Sequence, residues 1–293
     1  MASWPIPTMA KTLTRILLAI VGGLSSSLAY PREGLWPVIF VSVISLLLSV
    51  RGLSFWRAFW VGYLGGFCFY VSQIEWMSHY LGPVPLLALS TLEAFFFGLG
   101  MALIAKAWRW LAEKQTSSLR GLQIALAIAT IWTAREWVST NLPYGGFPWS
   151  RLAMSQSESP LADWVFFGGQ PLLTFVIVMI SSLVLSLAIG VRQNGWRTRS
   201  AGFMALILIG LIALPTLFVV PAVAENGSLV VAAVQGNANA GLFANTARGS
   251  ILRNHLEASN LIESKAKGQK VDLVVWPENA SDINPLSDAA AGA

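Results

Sequence analysis

Seven apolar stretches, at 13–28, 35–50, 58–77, 84–105, 121–138, 172–191 and 201–220, constrain this chain more than any other feature. A helix rises about 1.5 Å per residue, so about 20 apolar residues cross a hydrocarbon core of about 30 Å. Backbone N–H and C=O groups find no water there, and a continuous apolar run satisfies them only by coiling into a helix. The pattern predicts an α-helical polytopic membrane bundle of about seven spans. The first two runs are short, and a single hairpin of two short helices that only partly enters the bilayer is the competing reading. Composition agrees: 55% of the 293 residues are hydrophobic and 11% are charged, against about 25% charged in soluble domains. A water-soluble globule, a disordered tail and an ordinary nucleic-acid binder are excluded, and one cysteine excludes a disulfide scaffold.

Charge placement divides the chain. Residues 1–222 carry 14 basic and 7 acidic side chains, whereas residues 223–293 carry 5 and 7. In the short connections, Lys11, Arg15, Arg51, Arg57, Lys106, Arg109, Lys114, Arg120, Arg192, Arg197 and Arg199 fall on one side and Arg32, Arg135 and Arg151 on the other. Cytoplasmic loops collect Lys and Arg, so the N-terminus is expected in the cytoplasm and everything beyond an odd number of spans outside. The basic start, the apolar run and Ser27-Leu28-Ala29 also fit a cleaved signal peptide.

Residues 1–222 are therefore read as the membrane bundle and 223–293 as a separate domain, with the turn-rich Glu225-Asn226-Gly227-Ser228 at the boundary. There the apolar run 229–234 reads as a strand buried on both faces. Asn245 or Thr246 is expected to cap a helix with Ile251, Leu252, Leu256, Leu261 and Ile262 at helical spacing, stopping at Lys265, Lys267 and Gly268. A second strand follows at 271–276. Strand, helix, strand implies a parallel βαβ unit. Ligands of parallel α/β sheets sit beyond the carboxyl ends of the strands, and Trp276-Pro277-Glu278-Asn279 puts a carboxylate there. Glu278 is the candidate general base; a helix cap or solvated loop residue is the plain alternative.

Several stretches together resemble one family. They are Phe59-Trp60-Val61-Gly62 through Ile74-Glu75-Trp76, then Arg135-Glu136-Trp137, then Gly146-Phe147-Pro148-Trp149 with Ser155-Gln156, then Val234-Gln235-Gly236-Asn237, and finally Val275-Trp276-Pro277-Glu278-Asn279. In this order and with this topology the chain resembles the bacterial apolipoprotein N-acyltransferases, most of all actinobacterial ones. The resemblance implies a bacterial plasma-membrane protein in which the bundle precedes an extracytoplasmic αββα sandwich of the nitrilase (carbon–nitrogen hydrolase) fold. Residues 223–293 are then its first βαβ part.

The implied chemistry is a Glu-Lys-Cys triad. The Cys thiolate takes an acyl chain from a phospholipid as a thioester, and the N-terminal amine of a diacylglyceryl apolipoprotein then takes it from sulfur. Glu278 matches the catalytic Glu, and no cofactor or metal is implied. The chain departs from the pattern beyond that point, because the family's Lys and Cys follow the Glu whereas residues 279–293 contain neither. Cys68 lies inside the third apolar run and reads as packing. The expectation is an N-terminal fragment or truncated product that is inactive alone. The alternative is a non-catalytic membrane anchor or partner module for a polyprenol-phosphate mannosyltransferase.

Carboxylates in spans are functional candidates by default. Glu75 and Glu93 are each read two ways, as bundle hydrogen bonding or as phospholipid headgroup contact, and Glu75 with His79 fits one helical face at i, i+4. Trp149, in the aromatic loop 144–149, is a candidate on the lipid route as well as an interfacial anchor. Phe243 is a candidate for the acyl or headgroup pocket, with a core aromatic as the plain alternative.

Overall fold

The computed structural model describes residues 8–114, 119–194, 199–217, 227–237, 247–284, 286–289 and 291. Contacts divide the chain into two compact units, Met1–Ser78 with Gly82–Val219, and His79–Leu81 with Val220–Ala293.

The described part of each apolar run lies mostly in a helix: α1 (Thr8–Ser25, continued by a 3-10 turn at Ser26–Ala29), α2 (Val38–Val50), α3 (Phe55–Gln73), α5 (Pro83–Lys114), α6 (Arg120–Ser139), α7 (Trp164–Asn194) and α8 (Arg199–Leu217). A short helix α4 (Met77–Leu81) follows α3. Among the described residues three stretches are long and apolar enough to cross a membrane, Lys11–Ala29, Pro83–Glu113 and Trp164–Gly190. α2 and α8 are apolar but shorter. α3 is diluted by glycine, serine and glutamine, and α6 carries Arg135 and Glu136. α7 kinks at Gly169, whose φ of 67° suits glycine, and Pro171 then opens the straight segment.

Helix packing rests on small residues, as expected where lipid supplies no hydrophobic drive between helices. A Cβ on Gly62 of α3 would stand 2.5 Å from Met101 Cβ of α5, and one on Gly66 would stand 2.5 Å from Phe97 Cβ. Ser42 of α2 donates a short hydrogen bond to the Gly22 carbonyl of α1. Gly66→Ala is therefore expected to push α3 and α5 apart and cost about 1–3 kcal/mol, read as a lower thermal midpoint in detergent. An unchanged midpoint would show that Phe97 gives way freely.

In the second unit β1 (Val231–Ala233) and β2 (Leu273–Val275) are parallel, with Val231 opposite Leu273 and Ala233 opposite Val275. Between them run α9 (Ser250–Ser259) and α10 (Ile262–Lys265), a helix pair where the spacing predicts one helix. The chain turns out of α10 through Lys267 and Gly268, both at positive φ. Two further expectations are corrected. The run 229–234 is not buried on both faces: Leu229 is 70% and Val231 50% exposed, and only Val234 is buried, because the described residues supply one helical layer to this sheet. The helix start is also different. Asn245 and Thr246 lie outside the described residues; the N-cap is Gly249, and the capping carboxylate comes from Asp282, which accepts from Gly249 N at 2.7 Å and Leu252 N at 3.3 Å.

Candidate functional site

Glu278 is exposed in the turn just beyond the carboxyl end of β2, with Asn279 at φ 59° completing the reversal. Three contacts fix the stem beneath it. The Trp276 indole N–H donates to Ser259 Oγ at 3.0 Å, and Ser259 donates to the His255 carbonyl at 2.8 Å. The His255 ring lies 5.5 Å from that of Trp276 and is buried over Gly236 at the end of β1, where a Cβ would collide with the imidazole. Gly236 thus lets the helix close on the strand ends, and Trp276 ties the β2 end to α9. Gly236 and Trp276, both in the stretches that carry the resemblance, thus have structural roles here, and His255 joins them.

Beyond Glu278 the chain returns to α9 through Asp282. Desolvation works to raise the Asp282 carboxyl, but the backbone N–H groups of Leu252, Gly249 and Ile251 outweigh it and hold the group below the usual carboxylate range. A lowered folded value means that this cap is fully present above the ordinary Asp pKa of about 3.9 and is lost as pH falls through the folded value. Protection of the Gly249 and Leu252 amides from hydrogen exchange, corrected for intrinsic rate, should follow that profile. Asp282→Asn should flatten it.

The membrane unit holds a second constellation. A cavity of about 880 Å³ opens between the 3-10 turn after α1, the end of α3 and the α6–α7 loop. Its lining includes Tyr30, Arg32, Glu33, Glu75, Trp76 and Trp149. Two sequence candidates, Glu75 and Trp149, therefore meet in one place. The Trp76 and Trp149 rings stand 5.6 Å apart, and Arg32 reaches Glu75 Oε1 at 2.6 Å. The expectation that Glu75 and His79 share a helical face is corrected: α3 ends at Gln73, and Glu75 sits in the turn before α4. Phe243 lies outside the described residues. Among those described, no group of three His, Cys, Asp or Glu side chains is placed to hold a metal.

Behind the cavity lies a buried polar cluster that the sequence only hinted at. Glu136 of α6 accepts from the Leu152 backbone N–H at 2.9 Å. Tyr30 donates to the Ser150 carbonyl at 2.9 Å. Arg135 donates to Tyr70 at 3.3 Å, lies 4.5 Å over the Phe97 ring, and faces Glu93, which is 1% exposed. Glu93 thus belongs to the bundle interior and Glu75 to the surface cavity, which separates two carboxylates the sequence treats alike. Arg135, which the charge pattern places in a connection, lies instead within α6. The loop 144–149 folds back on α6, with Phe147 N–H donating to the Ser139 carbonyl at 3.0 Å. Gly146, at φ 73°, runs so close to Thr140 that no side chain fits.

Known proteins give the family. The family model described as the apolipoprotein N-acyltransferase N-terminal domain matches residues 22–183. An apolipoprotein N-acyltransferase of Pseudomonas putida is 31% identical over 290 residues, covering 94% of this chain and 53% of its own length. One from Mycolicibacterium smegmatis is 33% identical over 300 residues, covering 94% and 48%, and one from Azotobacter vinelandii 33% over 289 residues, covering 91% and 51%. The chain spans about half the length of the curated relatives it matches. With the family model matching more than half of its residues, the chain belongs to the apolipoprotein N-acyltransferase family.

Proposed function

We propose that this chain supplies the membrane bundle and the general base of an enzyme that moves a phospholipid acyl chain to the N-terminal amine of a diacylglyceryl apolipoprotein. The observation that carries the proposal is the position of Glu278, at the carboxyl end of a parallel strand in a chain whose membrane unit matches this family. In this reading α1, α2, α3, α5, α6, α7 and α8 cross the bacterial plasma membrane with the N-terminus in the cytoplasm. Residues 223–293 then stand outside as the first βαβ part of a nitrilase-like sandwich.

Glu278 takes the proton of a cysteine thiol as its sulfur attacks the donor ester; a thioester forms and the lysophospholipid leaves. The acceptor amine then attacks the thioester, forming an amide and returning the thiol. Cys68 is not that nucleophile, because it lies in the middle of α3 between Phe67 and Phe69. Trp149, Glu75 and Phe243 are assigned to lipid contact.

The test is a hybrid in which residues 1–278 are joined to the remaining part of the Pseudomonas putida relative, incubated with phospholipid and a diacylglyceryl lipopeptide. A mass gain of one acyl chain is expected with the hybrid. None is expected with the 293-residue chain alone, since residues 279–293 hold no Lys or Cys. Transfer by that chain alone, or none by a folded hybrid, would overturn the proposal.

A further inference from the structure

The end of the bundle away from the cavity gathers cations without counter-ions. Arg15 of α1 crosses to the last turn of α2, where its Nη1 donates to the Ser49 carbonyl at 3.0 Å and to the Arg51 carbonyl at 2.8 Å. The Arg51 side chain is half-buried, and its guanidinium lies 5.6 Å from the centre of the Trp108 ring of α5. The two guanidinium groups stand close enough for the Arg51 charge to act against that of Arg15. Capping accounts for Arg15, because a cation suits the last carbonyls of a helix. It leaves Arg51 as a half-buried charge beside a like charge. Lys11 and Arg57, at the starts of α1 and α3, and Lys106 and Arg109, toward the end of α5, belong to the same end. Among the described residues the one carboxylate at this end is Glu113, and it forms no ion pair with any of these six cations.

Depth says where the missing anion comes from. The 19 residues of α3 rise about 28 Å, close to the hydrocarbon thickness of about 30 Å. Its last turn borders the cavity and its first turn lies at this end, so Arg15 and Arg51 stand at headgroup depth on the other side of the bilayer. Exposed Trp56 and Trp60 in the first turns of α3, and exposed Trp110 near the end of α5, mark the same level, since indoles collect at membrane interfaces. We propose that Arg15 and Arg51 form a site for the phosphodiester of an anionic phospholipid, in the leaflet away from the cavity. Its oxygens accept from Arg51 and from the N–H groups that Arg15 does not spend on α2, and its charge offsets the repulsion between the two guanidinium groups. A zwitterionic lipid gains less, because its ammonium enters a region already rich in cations. The bound lipid is no acyl donor here: it joins the ends of α1, α2 and α5, and the site uses neither Glu278 nor any step of acyl transfer.

Native mass spectrometry and thermal unfolding of the full 293-residue chain in detergent test the site. The probes are dioleoyl phosphatidylglycerol, dioleoyl phosphatidylcholine and inorganic phosphate. The wild type is expected to retain phosphatidylglycerol about tenfold over phosphatidylcholine, and only phosphatidylglycerol should raise the thermal midpoint. R51Q should cut the preference about fivefold, the effect of one cation beside an anionic headgroup. R51K keeps the cation and should keep most of the preference. K106Q removes an exposed charge from the same end and should change it less than about twofold. Equal losses in R51Q and K106Q would overturn the site and leave a diffuse positive surface. Inorganic phosphate that displaces phosphatidylglycerol would put a soluble anion there and overturn the lipid assignment. The wild-type comparison needs no variant, so an unstable R51Q leaves it decisive: equal retention of the two lipids, or a midpoint raised equally by both, would overturn the proposal. Because only binding is read, an inactive hybrid would count against acyl transfer and leave this result standing.

Discussion

Glu278→Gln in the hybrid is expected to lower acyl transfer by about 10²–10⁴-fold, the range attributed to a positioned general base. The substitution keeps the side chain's size and removes its ability to take the thiol proton. Glu278 is exposed in a turn. The stem beneath it is held by Trp276, Ser259 and His255, so the thermal midpoint should not move. If Glu278 merely shaped the loop, Gln would serve nearly as well and activity would fall less than about tenfold, below the range of a general base. A rate lost together with the midpoint would also argue against the base. The two substrates should be affected unequally. Thioester formation needs the thiol proton removed, so a single-turnover measurement should place the loss in the acylation step and leave aminolysis of a preformed thioester less changed.

The features that could be read from the sequence are those set by neighbours along the chain. The described part of each of the seven apolar runs lies mostly in a helix, because run length and the demand for internal hydrogen bonds are local properties. The strand, helix, strand order and the parallel pairing follow in the same way, and with them the place of Glu278. What escaped is set by partners far away. Arg32 and Glu75 are 43 residues apart, and nothing local says that one will neutralise the other. The cap of α9 comes from Asp282, 33 residues from Gly249, where local rules searched just before the helix. Arg135 falls near the end of an apolar run and so reads as a loop charge, yet α6 carries it into contact with Phe97 and Trp132. The one available signal was the pair Arg135-Glu136 inside that run, since charges within a span are costly enough to need partners.

That cost sets the second large expectation, which concerns stability. Glu136→Ala should destabilise the membrane unit by about 3–5 kcal/mol, the usual consequence of removing one partner from a buried charged cluster. Two losses coincide. Arg135 and Arg151 lose a nearby carboxylate, and the buried Leu152 N–H loses its acceptor. Glu136→Gln keeps an acceptor for Leu152 and should cost clearly less, so the pair of variants separates charge from hydrogen bonding. Gly100 makes room for Arg135, with its Cγ 2.8 Å from where a Cβ would lie, so the guanidinium cannot easily swing away to find water. The damage should also reach the cavity. Ser150 to Leu152 is held by Tyr30 and Glu136 together, and Trp149 is the residue just before it. In Glu136→Ala, proteolysis at the 144–149 loop should quicken, though no residue of that loop has been changed. A variant that lost stability but kept the loop protected would show that Tyr30 alone anchors this wall, and that the polar cluster serves only the helix bundle.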